Sequence, residues 1–478
     1  SDLLEHQKAL KASECLQSKD DMEKTKIALN EIFQGHGFGS SAIDKSIKLW
    51  GCNAPAVIRR DPFKLMVAGI RGAGYTRCDK LYQSLHLPAG RVKRQMLAIW
   101  YKLKTNRDGH TWVSAASLGV MPERAIKLGL RSRWIEVRDD SAGQRWYADG
   151  DKARDERGLA RHIHRLMSWK ADSCEINKPL WPDVSTIEGL SDHQRTTLAA
   201  LLIATVCTLN GKPGTGKTWS VAKLCKLLIK LFGLQDVGVC APTGKAARRM
   251  QENLSANGCS GIEAKTIHSL FGLSINSEEE DLDQVVINEE GEEEPKQVPR
   301  FIIVDEVSMQ DASVACRMFA KLPTGTHVLL VGDVNQLPPV GHGSPLRDIL
   351  RSKAAPSGEL SEIRRNSGMI VTACHQIANG EDFDVAAKYN PETGDNLRYL
   401  ESLGNEDTIA TVAKIHTLLP GYGFDAVNDC QVIAALNSKG GCSKNAINVV
   451  LQDALNPTGK KIDGKKFRVR DKVIYTKN

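Results

Sequence analysis

Eight residues, Gly211-Lys212-Pro213-Gly214-Thr215-Gly216-Lys217-Thr218, constrain this chain more than any other stretch. They follow the apolar run Leu198 to Leu209, one residue on, and stand directly before a helix-forming segment, in a GxxxxGKT pattern. Glycines at these positions let the backbone wrap closely around phosphate oxygens with its N–H groups turned inward. Lys217 adds a point charge at the β and γ phosphates, and the Thr218 hydroxyl can hold Mg²⁺. Strand, loop and helix in that order point to an α/β fold.

The segments around this loop extend the pattern. Helix and short apolar strand alternate, with strands expected at Ala204–Leu209, Val237–Ala241, Phe301–Val304 and Val328–Val331. A buried parallel sheet with crossover helices is the expected result. The third strand runs into Asp305 and Glu306, which puts Asp305 beside a metal and Glu306 where it can orient or deprotonate water near a γ-phosphate. An acidic pair after a strand is otherwise a solvated strand end; its company here makes it catalytic. The fourth strand runs into Gly332-Asp333-Val334-Asn335-Gln336, and the Gln336 amide can report on the γ-phosphate rather than merely cap a loop.

A chain of 478 residues exceeds one ordinary core, so several domains are expected. Residues 1–114 are rich in helix formers, with Gly37-Phe38-Gly39 and Gly72-Ala73-Gly74 each set between amphipathic stretches. That is the layout of a helix-hairpin-helix, whose turn offers N–H groups to a phosphate, or of ordinary helix turns. Residues 115–187 read as a winged-helix-like unit and connector, with a strand pair in RWIEVRD and QRWYADG joined by Asp140-Ser141-Ala142-Gly143. Trp134 and Trp146 there either pack across the hairpin or touch bases. Residues 188–355 form the first nucleotide-binding domain, with an acidic insertion at 276–298. A second alternation is expected over 356–478, with a strand at Cys430–Ala435 and a helix at Ser443–Ala454.

Charge and cysteine usage narrow the class. Ten acidic residues and no basic one lie between Glu278 and Glu294, so the rest of the chain carries ten more positive charges than the overall +7. Such an excess suits a polyanionic partner, or is a solvated basic surface. The acidic stretch is an exposed insertion or a contact for a basic partner protein. Twelve cysteines are scattered from Cys15 to Cys442 with no CxxC spacing, the pattern of reduced thiols in a cytoplasmic protein. The apolar runs fall well short of the ~20 residues that span a bilayer, and the N-terminus has no apolar signal core.

Taken in order, LSDHQ (Leu190–Gln194), GKPGTGKT, APTGKAARR (Ala241–Arg249), KTIHSLF (Lys265–Phe271), VDEVSM (Val304–Met309) and GDVNQLPPVGHGSPLRDIL (Gly332–Leu350) carry a resemblance to superfamily 1B DNA helicases of the RecD/Dda branch. RRDPFKLMVAGIRGAGYTRCDKL and DGHTW resemble the helical and winged regions that precede the motor in bacterial and phage RecD-like proteins. The resemblance implies RecA-like P-loop NTPase motor domains behind a mainly helical N-terminal region. ATP and Mg²⁺ are the implied cofactors, and a monomeric motor moving 5′→3′ on single-stranded DNA and at single/double-strand junctions is the implied activity. Gln194 would read adenine; Gly211, Pro213, Gly214, Thr215, Gly216, Lys217 and Thr218 would hold the phosphates; Thr218 and Asp305 would hold the metal. Glu306 would be the base, Gln336 the sensor, and Arg365 in LSEIRRNSG, with Arg364 the alternative, the cation bridging to the γ-phosphate, where either arginine could otherwise be a surface ion pair. Pro242, Thr243, Gly244, Lys245, Thr266 and His268 lie in segments that face DNA in the family, although a histidine such as His268 is otherwise often a satisfied core residue. The segment from Gln431 to Pro457 and FRVRDKVIYTKN resemble part of a second motor domain, and the family has further motifs beyond it, so the chain reads as C-terminally incomplete. The alternative activity is that of a nucleic-acid-binding regulatory subunit or scaffold using ATP as a switch.

Overall fold

The computed structural model describes residues 20–106, 108–169, 181–259, 261–274, 285–287, 293–295, 297–362, 368–390 and 392–473. The chain divides into two compact units, Ser1–Arg365 and Asn366–Asn478.

The first unit opens with helices over 20–33, Ser40–Trp50, Ala54–Arg60, Phe63–Val67, Tyr75–Ser84 and Val92–Lys104. Both glycine turns foreseen in the sequence fall between helices. Gly37 (φ 74°) and Gly72 (φ 84°) reverse the chain in the left-handed region, which L side chains rarely adopt. Next come β1 (Trp112–Ser114), β2 (Ile135–Asp139) and β3 (Arg145–Asp149), an antiparallel sheet in the order β1-β3-β2. The β2–β3 hairpin was expected; β1 was not. Leu118, Ala125, Ile135 and Tyr147 of this winged element lie in the same core as Leu29, Phe63, Leu81 and Leu97 of the helices. The two regions therefore share one interior across the expected division at 114/115.

Helix Gly150–Met167 leads into the large sheet and packs Leu159, Ile163 and Leu166 against it. That sheet contains β4 (Val206–Gly211), β5 (Val237–Ala241) and β6 (Ala264–Thr266). Between it and the next core strand stands the antiparallel pair β7 (Val285–Ile287) and β8 (Glu293–Pro295), within the acidic segment. The sheet is completed by β9 (Phe301–Val304), β10 (His327–Gly332) and β11 (Ser357–Leu360). Its order is β11-β4-β10-β9-β5-β6, every pairing parallel. Burial on both faces explains the continuous apolar strands. Cys207, Leu209, Val239, Phe301, Ile303, Leu329 and Val331 face one helix layer, while Val206, Cys240, Ile302, Val304, Val328 and Leu330 face the other.

Two boundaries differ from the sequence reading. Trp181 is not connector but core: its Nε1 donates to the Ala204 carbonyl at 2.8 Å, and its ring lies 5.3 Å from Phe301 and 5.5 Å from His327. Ser357–Leu360, expected to begin the second domain, pairs with β4 as an edge strand of the first sheet.

The second unit is built from helices Gly368–Asn379, Asn405–Leu418 and Lys444–Leu455. Ser443 caps the last of these, accepting from the Ala446 N–H. The strand expected at Cys430–Ala435 is a correction: these residues are irregular, and Ile433 is 92% exposed. A strand persists only where a neighbour completes its hydrogen-bond ladder. Among the described residues of this unit there are only isolated bridges, Asn390–Asp395 and Lys461–Arg468, so the apolar run has no sheet to join.

Candidate nucleotide site and nucleic-acid edge

In a doubly wound parallel sheet, ligands bind outside the carboxyl ends of the strands. Register fixes what lies there. Gly332 is level with Asn210, Leu330 and Cys240 are level with Val304, and Ala241 is level with Thr266. Gly211 to Thr218, Asp305 and Glu306, Asp333 to Gln336, Pro242 to Lys245 and Thr266 to His268 thus all emerge on one rim.

At β4 the chain turns through Gly214 and Gly216, both at φ 82°, into helix Lys217–Phe232. Gly216 caps that helix from the left-handed region, leaving the first-turn N–H groups pointing at the loop. Thr215 is buried and its hydroxyl donates to the Lys212 carbonyl at 2.9 Å. A side chain at Gly211 would meet Thr215 Oγ1 and the Leu360 carbonyl at 2.9 Å, so β11 also enforces glycine there. Lys217 donates to the carbonyls of Gly211 and, at 3.2 Å, of Lys212. Burial pulls its pKa down, opposed by Asp333, Glu306 and Asp305.

Asp305 continues β9: its N–H donates to the Cys240 carbonyl at 2.9 Å, and its Oδ1 accepts from the Glu306 N–H at 2.9 Å. Burial, and then the charge of Glu306, push its pKa up to about 6. Glu306 itself sits at φ 54°, ψ 36°. A residue other than glycine there carries roughly 1–2 kcal/mol of backbone strain, a cost that collects at functional positions. Asp305, Glu306 and Asp333, whose charges all act on the Lys217 ammonium, form with the Thr218 hydroxyl next in sequence a hard-oxygen set suited to Mg²⁺.

Gln194 is 1% exposed. Its Oε1 accepts from the Ser191 N–H at 3.1 Å in a capping box, and its Nε2 donates to the Thr215 carbonyl at 3.4 Å. The residue expected to read adenine thus holds the phosphate loop itself. Gln336 lies exposed on the turn after β10. Arg365 lies outside the described residues.

Thr243 and Thr266 cap the helices that leave β5 and β6, accepting from Ala246 and Ser269 N–H groups at 3.2 and 3.1 Å. Gly244 and Lys245 are exposed, and Pro242 and His268 are half-buried.

Two site residues escaped the sequence reading. Asp333, 1% exposed, is the foremost of the carboxylates that support the Lys217 charge, and it stands three residues before the Gln336 that drew attention. Asn210 accepts from the Val334 N–H at 3.2 Å, tying the loop after β10 to the phosphate loop. An asparagine near the end of a buried strand, one residue before the GxxxxGKT glycine, was its signal.

Residues 22–112 match the family model for the ATP-dependent RecD2 DNA helicase HHH domain, and residues 194–342 match an AAA domain. The ATP-dependent RecD2 DNA helicase of Deinococcus radiodurans is 30% identical over 93% of this chain and 61% of its own length. The RecBCD enzyme subunit RecD of Mycolicibacterium smegmatis is 28% identical over 49% of this chain and 43% of its own. A solved Bacteroides Pif1 bound to ADP-AlF4 shares 24% identity over 41% of this chain and 47% of that one, with a TM-score of 0.26. The chain spans about three fifths of the RecD2 relative's length. Over nearly all of its own length the chain is thus similar to RecD2, with a segment that matches the RecD2 HHH domain in front of a nucleotide-binding sheet that matches an AAA domain.

Proposed function

We propose that this chain hydrolyses ATP to move along single-stranded DNA in the 5′→3′ direction and to open duplexes ahead of it. The observation that carries the reading is Lys217 set among Asp305, Glu306 and Asp333 on the rim that also presents Pro242–Lys245 and Thr266–His268. Lys217 and the first-turn N–H groups would bind the β and γ phosphates, with Gly211, Pro213, Gly214, Thr215 and Gly216 shaping the loop. Gln194 would hold that loop and border the base. Thr218 and Asp305 would hold Mg²⁺, which when bound offsets the charge of the phosphates and of the crowded carboxylates. Glu306 would take a proton from the attacking water, Gln336 would sense the γ-phosphate, and Arg365 would add a cation to it. Repeated nucleotide-driven rearrangement would then displace the strand held at the Thr243 and Thr266 segments. The two units correspond in this reading to two motor lobes, the second entered after Arg365.

The test is ATP turnover by the protein with and without an oligothymidylate. Stimulation by the oligonucleotide is expected, and Lys217→Ala should lose turnover while keeping the native thermal transition. Turnover indifferent to DNA would refute the translocase reading and leave an ATP switch.

A further inference from the structure

The turn that carries Gln336 is anchored on both sides and open between the anchors. On the near side Asn210 accepts from the Val334 N–H at 3.2 Å, and Asp333 Oδ1 accepts from the Asn335 N–H at 3.0 Å. Beyond it Gln336, Leu337, Pro338 and Val340 are exposed, and Pro339 alone is buried before Gly341.

The far anchor, Gly341–Gly343, is tied to three separate elements. The His342 carbonyl accepts from the Ala312 N–H at 2.8 Å, at the start of helix Ala312–Lys321. The Gly343 N–H donates to the Gly109 carbonyl at 2.9 Å, in the segment ahead of β1. The approach is so close that a Cβ on Gly341 would lie 2.0 Å from Asp311 Oδ2, and one on Gly343 would lie 2.9 Å from the Ala312 Cβ. Asp311 is itself committed, its Oδ1 accepting from the Val314 N–H at 2.9 Å to cap the helix. The third tie is between side chains. His342 Nε2 faces Asp155 Oδ2 at 3.3 Å, the imidazole side chain 13% exposed and the carboxylate 28%. Among the described residues that nitrogen has no hydrogen-bond partner, so Asp155 is its counter-group. Asp155 is a firm reference point, because its helix, Gly150–Met167, buries Leu159, Ile163 and Leu166 against the sheet.

Two backbone hydrogen bonds to two elements leave a loop free to pivot about the line that joins them. A tie to a third element removes that freedom. The tilt so fixed reaches Gln336, since two of the five residues between it and His342 are Pro338 and Pro339, whose rings lock φ and stiffen the span. We infer that Asp155 and His342 are positioning residues for hydrolysis: the pair sets the tilt of the loop that aims Gln336 at the γ-phosphate, and so ties helix Gly150–Met167 to the nucleotide site. The inference rests on the sensor role proposed for Gln336, and both residues act through that side chain rather than on the nucleotide.

The experiment measures ATP turnover, with oligothymidylate present, for His342→Leu, Asp155→Leu, Gln336→Ala and the double variant His342→Leu/Gln336→Ala. His342→Leu and Asp155→Leu should each lower kcat about tenfold, the scale on which misplacement by a fraction of an ångström acts, with KM for ATP within about twofold of wild type. His342→Gln, whose amide N–H can reach Asp155 in place of the imidazole, should restore kcat. The double variant should fall no further than Gln336→Ala alone, because the two changes remove one effect. Wild-type kcat in His342→Leu, with Gln336→Ala impaired, would overturn this inference alone. Losses that multiply in the double variant would do the same, as would a loss shared by His342→Gln or a fall in kcat accompanied by a lost thermal transition. Wild-type turnover in Gln336→Ala would overturn the sensor role, and the inference with it.

Discussion

Asp305→Asn should make the nucleotide-free protein more stable at neutral pH while ending its catalysis. The carboxylate is 6% exposed and shares its surroundings with Glu306, so the fold favours its protonated form and raises its pKa from an ordinary 3.8 to about 6. Holding it ionised at neutral pH therefore costs ~3 kcal/mol relative to the unfolded chain. Because the folded pKa is the higher one, the native protein binds the proton more tightly, and its stability falls as pH rises from about 4 to about 6. Asparagine never ionises, and its carbonyl can still accept the Glu306 N–H that Asp305 accepts at 2.9 Å. The variant should thus gain ~3 kcal/mol above pH 6, a gain that shrinks toward nothing near pH 4. In a unit this large, that corresponds to a rise in Tm of roughly 3–6 °C. Differential scanning fluorimetry in EDTA without nucleotide, across pH 4 to 8, reads it directly. A difference that stays constant with pH, or a lower Tm for the variant at pH 7.5, would refute the claim that buried like charge dominates this position.

Three further predictions concern the same framework. Glu306→Gly should be at least as stable as Glu306→Gln by urea unfolding, since glycine relieves ~1–2 kcal/mol of left-handed strain against its greater freedom when unfolded, while both variants stop hydrolysing ATP. Gln194→Ala should lose ~1–2 kcal/mol with the capping box and, by removing the donor to the Thr215 carbonyl, weaken binding of a non-hydrolysable ATP analogue by calorimetric titration. Trp181→Phe should cost ~1–3 kcal/mol by stranding the Ala204 carbonyl, and Trp181→Ala ~3–5 kcal/mol by leaving a void against Phe301 and His327, both measured as shifts in the urea midpoint.

Two other groups respond to burial in ways the sequence does not announce. His327, fully buried under Trp181, has its pKa pushed down to about 4, so it stays neutral in the native core at physiological pH. The thiol of Cys78 is pushed up to about 12 by burial, which makes it inert as a nucleophile. The ten described cysteines carry free thiols. Among the described residues no helix is long and apolar enough to cross a membrane.

The residues that were legible in the sequence share one property: their role depends on neighbours along the chain. The phosphate loop, the acidic pair after β9 and the two glycine turns announce themselves because backbone conformation and a few adjacent side chains define them. The strands Val237–Ala241 and Phe301–Val304 were legible for the same reason, being uninterrupted apolar runs with short bounds. What only the tertiary structure decided is partnership across the chain. It brought Asp333 within electrostatic reach of Lys217, tied Asn210 to the loop after β10, drew Ser357–Leu360 and Trp181 into the first sheet's domain, and left Cys430–Ala435 without a strand to pair with. Buried charge and sheet pairing are energies between residues far apart in sequence, and they acquire a value only once the fold has set the distances.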